Sequence, residues 1–303
     1  MSIAQVQALI NGQTYNLTLN DSTGKYEATI TAPSTSSYNN NDGHYYPVSI
    51  TATDDGGNST TINDTSPNFG DQLRLVVVEK VAPTVVITAP TTGSIITNNK
   101  PIISAQLRDN DSGIDVDTII LKIDNTEAAS SAIIKTPVSG GYDISYTPTD
   151  ALSDGDHTIT VQVSDNDGNQ SSVVTSTIKV DTVPPSLTVT TPTDGLITNT
   201  DTLTVSGTTN DATSSPVTVT ITLNTVDQGA VTVDGGGAFS KLVTLSEGSN
   251  TIVVTATDSA GKASSVARTV TLDTGAPIFQ SVSIAPNPVD AGATYVITVE
   301  VTD

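Results

Sequence analysis

Apolar and polar residues alternate in short runs along this 303-residue chain, and no stretch keeps a helical period. Residues 161–185, VQVSDNDGNQSSVVTSTIKVDTVPP, show the unit of the pattern: an alternating strand, an acidic loop of turn-forming residues, a second strand and an acidic linker ending in proline. The same ending recurs at 50–58 with 76–83, and at 254–262 with 270–277. The sequence therefore predicts an all-β tandem array.

The spacing of strands and linker prolines predicts two complete units and two partial ones. Residues 82–182 and 183–274 each contain a full set of regularly spaced strands with turn signals, as in an antiparallel sandwich. Residues 1–81 begin at the equivalent of the third strand of those units, and residues 275–303 match only their first two strands. We expect an N-terminal segment that lacks two strands and a C-terminal β-hairpin.

Composition narrows the possible partners. The net charge is −21 and the sequence pI is near 4.1, with only 11 Lys and Arg residues, which argues against nucleic acid or anionic membranes as partners. The chain has no Cys, so neither disulfides nor thiolate metal sites hold the domains together. Each domain must rely on its own core, and oxygen-ligated ions are a candidate additional support. No run has membrane-spanning length, and the first residues lack the basic and apolar regions of a secretory signal. We expect the chain either to reach the outside by lysis or within a particle, or to be a piece of a longer protein.

The repeated sequence motifs resemble those of a known family. The pattern xATDxxGN before the last strand and DTxPP between units are similar to bacterial immunoglobulin-like (Big-type) domains. Segments such as TNNKPIISAQLRDNDSGID and IAPNPVDAGATYVITVEVTD are similar to immunoglobulin-like proteins from tail regions of gut Firmicutes phages and prophages. This resemblance implies tandem immunoglobulin-like β-sandwiches in an elongated rod, within a virion that is extracellular after lysis.

Acidic residues provide the main chemical signal. In an immunoglobulin-like sandwich, the loop after the second strand and the loop before the last strand lie at the pole where the preceding domain attaches. Carboxylates from three segments should meet there, and we predict that they bind Ca²⁺, which takes six to eight oxygen ligands. The alternative is that Asp, Asn and Gly only form the turns. The candidate ligands are Glu79, Asp109, Asp111, Asp165 and Asp167 at the first junction, Asp181, Asp211 and Asp258 at the second, and Asp273 and Asp303 at the last.

The two partial units are complementary. An incomplete sandwich exposes apolar core and an open sheet edge, so the C-terminal hairpin of one copy is a candidate to complete the N-terminal segment of another, head to tail. The alternative is a reduced N-terminal sheet and a hairpin that docks on its neighbour or on another virion or surface-assembly protein.

A tyrosine-rich loop is a candidate ligand site. Tyr38, Tyr45 and Tyr46 flank a run of Asn residues, and aromatic faces with amides suit host surface glycans. The alternative is that these rings cover the edge of a small sandwich.

The sequence favours a protein that is not an enzyme. There are two His residues, and no GxSxG, HExxH or phosphate-loop motif. We predict a structural and adhesive component of a phage virion or tail. The alternatives are a stalk segment of a bacterial cell-surface adhesin and an accessory module of a glycan-active enzyme.

Overall fold

The computed structural model describes residues 2–303, and their regular secondary structure is almost entirely β-strand, as the alternating pattern predicts. The only helical pieces among them are short 3-10 turns at Gly70–Leu73 and Ser130–Ala132. Within the described range, no helix is long and apolar enough to cross a membrane. The chain divides into two compact units, one ending at Val180 and the other covering Asp181–Asp303.

The N-terminal segment is built on one sheet. Its strand order is β3-β2-β1-β4-β5, and β6 pairs with β4. Val6, Ala8 and Ile10 alternate along β1 and are buried on one face, which is the packing expected from their spacing of two. The strands are β1 (Ile3–Ile10), β2 (Gln13–Asn20), β3 (Lys25–Glu27), β4 (Tyr46–Asp54), β5 (Ser59–Ile62) and β6 (Arg74–Leu75).

The second domain is a two-sheet sandwich. One sheet has the order β11-β10-β14-β15-β8 and the other β12-β13-β9-β7. Ile103, Leu107, Leu121, Ile159 and Val161 are fully buried between the sheets. The strands are β7 (Thr84–Ala89), β8 (Ile95–Ile96), β9 (Ile103–Arg108), β10 (Ile114–Ile123), β11 (Thr126–Glu127), β12 (Ile134–Val138), β13 (Gly141–Tyr146), β14 (Gly155–Asp165) and β15 (Val174–Val180).

The third domain repeats this architecture. Its sheets have the orders β16-β18-β21 and β17-β23-β22-β19-β20, around a core that includes Val205, Ile221, Ile252 and Val254. In both domains a short strand after the first one pairs in parallel with the last strand, as β8 with β15 and β17 with β23. The strands are β16 (Ser186–Thr191), β17 (Leu196–Thr198), β18 (Thr202–Asn210), β19 (Thr218–Leu223), β20 (Val226–Asp227), β21 (Ala238–Thr244), β22 (Gly248–Thr257) and β23 (Ala263–Leu272).

The last part of the chain is an antiparallel hairpin of β24 (Ile278–Ala285) and β25 (Val296–Thr302). Its register shifts between Phe279 and Ser281, as the first antiparallel pair shifts in the second domain (between Ile87 and Ala89) and in the third. The hairpin therefore corresponds to the first antiparallel pair of a domain. All its residues are exposed, including apolar side chains on both strands.

The N-terminal segment forms no second sheet, and the reason is visible in the complete domains. In those domains the strand that corresponds to residues 25–32 pairs with a long strand near the start of the domain, β13 with β9 and β21 with β18. The described N-terminal segment has no counterpart of β9 or β18, and residues 28–33 form no ladder. Backbone without a sheet partner does not hold a strand by itself.

A substitution at Gly237, in the turn before β21, tests the close packing of the third domain. Its φ is +83°, and an added Cβ would lie 2.0 Å from the carbonyl oxygen of Thr209. We expect Gly237→Ala to lower the free energy of unfolding by about 2 kcal/mol or more, because the side chain meets backbone and strains the turn. Calorimetric unfolding of the full chain measures the loss.

Gly235 in the same turn is the matched control. An added Cβ there meets nothing within 4 Å, and its φ is not positive. Gly235→Ala should change the free energy of unfolding by less than about 0.5 kcal/mol. Equal effects of the two substitutions would contradict the packing described for Gly237.

Candidate functional site

Three acidic side chains from separate segments meet at one pole of the second domain. Glu79 precedes β7, Asp109 follows β9 and Asp165 ends β14, and one carboxylate oxygen of each lies within 4.8 Å of the others. Antiparallel pairing of β7 with β9 places the start of one strand beside the end of the other, and β14 of the second sheet ends at the same pole. All three residues are among those that the sequence analysis assigns to this junction.

Backbone and amide donors occupy much of this first cluster. Asp109 Oδ1 accepts the N–H groups of Asp111 and Gly113, at 3.0 and 2.8 Å. Asp165 Oδ2 accepts the side-chain amide of Asn169 at 2.8 Å. Burial raises the pKa of Glu79, the N–H of Ser112 opposes this rise, and the neighbouring carboxylates of Asp109 and Asp111 add to it. The first cluster is therefore largely satisfied by the protein itself.

Asp111 and Asp167, which the sequence places at the same junction, lie outside the cluster and bind backbone. Both carboxylate oxygens of Asp111 accept the N–H of Ser36, at 2.9 and 3.0 Å. Asp167 Oδ2 accepts the N–H of Glu79 at 2.9 Å. The two loops of the second domain thus hold the N-terminal segment at two points along its chain.

A second cluster lies at the corresponding pole of the third domain. Asp181 precedes β16, Asp211 follows β18 and Asp258 follows β22, with one carboxylate oxygen of each within 4.8 Å of the others. All three residues are buried, with exposures of 0%, 8% and 6%. Ser214, which is also buried, donates its hydroxyl to Asp181 Oδ2 and its backbone N–H to Asp211 Oδ1.

The second cluster concentrates negative charge without a positive side chain. None of the ion pairs found within residues 2–303 includes Asp181, Asp211 or Asp258. At an effective dielectric constant of about 20, two charges at such a separation repel by about 3 kcal/mol. Asp258 Oδ2 is buried and has no hydrogen-bond partner in the described part of the chain.

The last two predicted ligands, Asp273 and Asp303, are members of neither cluster. Asp273 is exposed and its carboxylate accepts the N–H of Gly275 at 3.0 Å. Asp303 is exposed at the end of the hairpin. Neither belongs to a group of three acidic side chains in residues 2–303.

The three predicted glycan-binding tyrosines have different environments. Tyr38 stacks on His44 with ring centroids 4.1 Å apart. Tyr45 donates its hydroxyl to Asp64 Oδ2 at 2.9 Å, which raises its pKa, and the Arg74 guanidinium lies 5.2 Å from its ring. Tyr46 is only 4% exposed. Its hydroxyl lies 2.7 Å from the Thr35 hydroxyl, so this ring packs inside the segment.

His157 forms an ion pair that the sequence did not indicate, and its side chain is buried while that of its partner Asp124 is about half exposed. Its Nδ1 lies 2.6 Å from Asp124 Oδ2 and its Nε2 lies 2.7 Å from the Ser153 carbonyl oxygen. Both partners are acceptors, so both ring nitrogens must carry protons. Burial opposes this charge, but the Ser153 carbonyl and the Asp124 carboxylate outweigh it and raise the pKa of His157.

The third domain has the same contacts with uncharged groups. Asn224 and Asn250 occupy the places of Asp124 and His157, with Asn224 Nδ2 donating to Asn250 Oδ1 at 3.0 Å. Asn250 Nδ2 donates to the Ser246 carbonyl oxygen at 2.7 Å, as His157 donates to Ser153. One backbone geometry is therefore held by an ion pair in one domain and by two amides in the other.

Comparisons with known proteins agree with this architecture. Residues 83–161 match the bacterial Ig domain family, and residues 185–274 match the family described as glucodextranase, domain B. The chain contains tandem immunoglobulin-like domains. No curated protein matches the sequence.

Solved immunoglobulin-like and fibronectin-like proteins are similar to the chain at low identity. Fibronectin(III)-like modules of Clostridium thermocellum CbhA are 16% identical, with 63% of this chain and 94% of that chain covered and a TM-score of 0.38. Immunoglobulin domains 1–5 of Sidekick-1 are 13% identical, with 98% and 60% covered and a TM-score of 0.40. Titin domains A168–A170 are 14% identical, with 88% and 85% covered and a TM-score of 0.39.

Asp111→Ala tests the attachment of the N-terminal segment. Without the carboxylate, the Ser36 N–H loses its acceptor, and we expect its amide exchange to accelerate about tenfold or more. Hydrogen exchange followed by mass spectrometry over residues 34–39 measures the change. Asp117→Ala is the control, since the Asp117 side chain is 94% exposed. Equal exchange of Ser36 in the wild type and in Asp111→Ala would contradict the attachment.

The His157 pair predicts a stability that falls as pH rises. Because the folded pKa of His157 is raised, its contribution is complete below the ordinary pKa of 6.5 and is lost as pH rises through the folded pKa. Burial would raise the pKa of Asp124, but the Thr158 N–H and His157 lower it, so its contribution is lost only as pH falls below 3.8. We expect the free energy of unfolding of residues 1–180 to fall by about 1 kcal/mol between pH 6 and 9.

The double variant Asp124→Asn with His157→Asn is the matched control, since it reproduces the amide pair of the third domain. It should lack most of this dependence on pH. Urea unfolding followed by tyrosine fluorescence reports on this unit, because seven of the eight Tyr residues lie in residues 1–180. The same pH slope in the wild type and the double variant would contradict the assignment.

Proposed function

We propose that the chain is a non-catalytic structural and adhesive module that presents immunoglobulin-like domains at a surface. The observation that carries this proposal is the attachment of the N-terminal segment to the pole of the second domain. Carboxylates of Asp111, Asp167 and Glu79 each accept a backbone N–H across this boundary, at 2.8 to 3.0 Å. Such contacts favour a fixed arrangement of neighbouring modules over free movement.

The use of the polar side chains supports a non-catalytic role. Both nitrogens of His157 are bound to structural acceptors, and His44 stacks on Tyr38 with its Nδ1 2.5 Å from the Tyr38 carbonyl oxygen. The carboxylates of the first cluster accept backbone and amide N–H groups of their own loops. A general base or nucleophile needs a free lone pair directed at a substrate, and these groups are committed to the fold.

The match to the bacterial Ig domain family supports a location at a bacterial surface or outside the cell. Within that setting we assign the chain to a phage virion or tail, on the similarity of its segments to phage and prophage immunoglobulin-like proteins. The net charge of −21 favours solubility and opposes non-specific association, because copies of the chain repel one another. A cell-surface adhesin stalk is the alternative location.

A second candidate function is favoured by a specific observation. Residues 185–274 match domain B of glucodextranase, which belongs to an enzyme named for a glucan. An accessory module of a glycan-active enzyme would position a separate catalytic domain on its polysaccharide. In that function the third domain, and not the tyrosine loop of the N-terminal segment, would carry the contact.

Two measurements separate these functions. Immunogold labelling with antibody against residues 1–303 should decorate phage particles induced from the bacterium that carries the gene. Label on the cell envelope and none on particles would contradict the virion assignment and favour the adhesin stalk. In native gels that contain dextran, pullulan or soluble starch, the chain should migrate as in plain gels. Retardation that survives Tyr38→Ala with Tyr45→Ala would favour the accessory module.

A further inference from the structure

We propose that the third domain binds one Ca²⁺ ion between Asp181, Asp211 and Asp258. This inference goes beyond the proposed function and does not depend on it. Three observations carry it: the burial of three uncompensated carboxylates, an acidic oxygen without a partner, and the chemistry of the surrounding donors.

The first observation is charge in a buried place. The three carboxylates are at least nine-tenths buried and no Lys, Arg or His pairs with them among residues 2–303. Buried charges are normally paired or bound to a metal. The backbone donors present are few: Lys262 N–H to Asp258, Val183 N–H to Asp181, and the N–H groups of Thr213 and Ser214 to Asp211. A cation is the remaining way to neutralise the group while its members stay ionised.

The second observation comes from comparing the same loop in three domains. Asp54 and Asp165 each begin a five-residue turn that ends in Asn, and the Asn side chain donates to the acidic Oδ2, at 3.0 Å from Asn58 and 2.8 Å from Asn169. In the third domain the turn ends in Lys262, which donates only its backbone N–H, to Oδ1. Asp258 Oδ2 is thus buried without a partner because one amide is missing.

The third observation is the donor set. Three carboxylates and the Ser214 hydroxyl provide only oxygen, which suits hard cations and not the zinc or copper ions that prefer nitrogen and sulfur. Two oxygens that each lie about 2.4 Å from one Ca²⁺ are at most about 4.8 Å apart, and the three carboxylate oxygens lie within 4.8 Å of one another. Mg²⁺ requires shorter bonds, octahedral geometry and several waters. The buried cluster therefore favours Ca²⁺.

The corresponding cluster in the second domain lacks the decisive feature. There Asn169 fills the oxygen of Asp165 that corresponds to the free oxygen of Asp258. Asp165 Oδ1 accepts two further N–H groups, from Asp167 and Asn169. The proposal is accordingly limited to the third domain.

The test begins with the full chain after treatment with chelator. Isothermal titration with CaCl₂ should show binding, and 1 mM Ca²⁺ should slow hydrogen exchange of β22 and β23 relative to chelator. The same concentration of MgCl₂ should leave this exchange unchanged. Absence of calcium-dependent heat, or protection confined to residues 1–180, would overturn the proposal. Equal protection by Mg²⁺ would overturn the choice of Ca²⁺.

Two variants should differ from the wild type in hydrogen exchange, and the direction of the difference should reverse between chelator and calcium. Lys262→Asn restores the amide donor found in the other domains, and Asp258→Asn places an amide in the cluster itself. Each should weaken calcium binding at least about tenfold, since a ligand oxygen is occupied or lost. In chelator each should exchange more slowly than the wild type in β22 and β23, because the added donor relieves an unpaired oxygen and the charge repulsion. In 1 mM Ca²⁺ the order should reverse.

Asp234→Asn is the matched control. Asp234 accepts two backbone N–H groups of its own turn, from Gly236 and Ala238, in the same manner as Asp165, but it is exposed and outside the cluster. Its calcium response should equal that of the wild type. If Asp258→Asn and Lys262→Asn are more protected than the wild type in both conditions, the cluster is stabilised by an amide and not by calcium, and the proposal fails.

Discussion

The acceptance of backbone N–H groups by loop aspartates is the interaction on which both poles depend. A chain that leaves a strand and turns within five residues exposes N–H groups that no sheet partner can satisfy. Asp54 and Asp165 each bind the N–H groups two and four residues ahead with one carboxylate oxygen, at 2.7 to 3.0 Å. Asp234 does the same in a hairpin turn. Each such turn places one negative charge at a loop.

The use of aspartate in these turns brings carboxylates together where the loops meet. Turns from separate strands lie at the same edge of the sandwich, so their carboxylates approach one another. The second domain reduces the cost with an amide from Asn169 and directs Asp111 toward the neighbouring segment. The third domain keeps three buried carboxylates and replaces the amide with Lys262. A single residue at the end of the turn thus separates a pole where an amide binds the second carboxylate oxygen from one where that oxygen has no partner.

The sequence predicts the parts of this structure that depend on local pattern. Alternation predicts the long strands, and glycine, asparagine and aspartate predict the turns. The shared fold of the repeats also predicts that Asp109 and Asp165 meet, since their place in the strand order is known from the pattern. The short parallel strands β8 and β17 were not predicted, because two or three residues have no period and gain their pairing only from the finished sheet.

Contacts that depend on three-dimensional placement could not be predicted from the residues alone. His157 follows the polar residues Asp154, Gly155 and Asp156 in the sequence, yet it is the third residue of β14 and its side chain is buried. Its partner Asp124 is more than thirty residues away and is recognisable only by comparison with Asn224 and Asn250. Such pairs exchange charge for amide while the backbone stays the same. A similar difference, Asn169 in one domain and Lys262 in the other, decides whether the second carboxylate oxygen of the turn aspartate has a hydrogen-bond partner. Comparing the repeats within one chain therefore identifies positions where the backbone is kept and the side-chain chemistry changes.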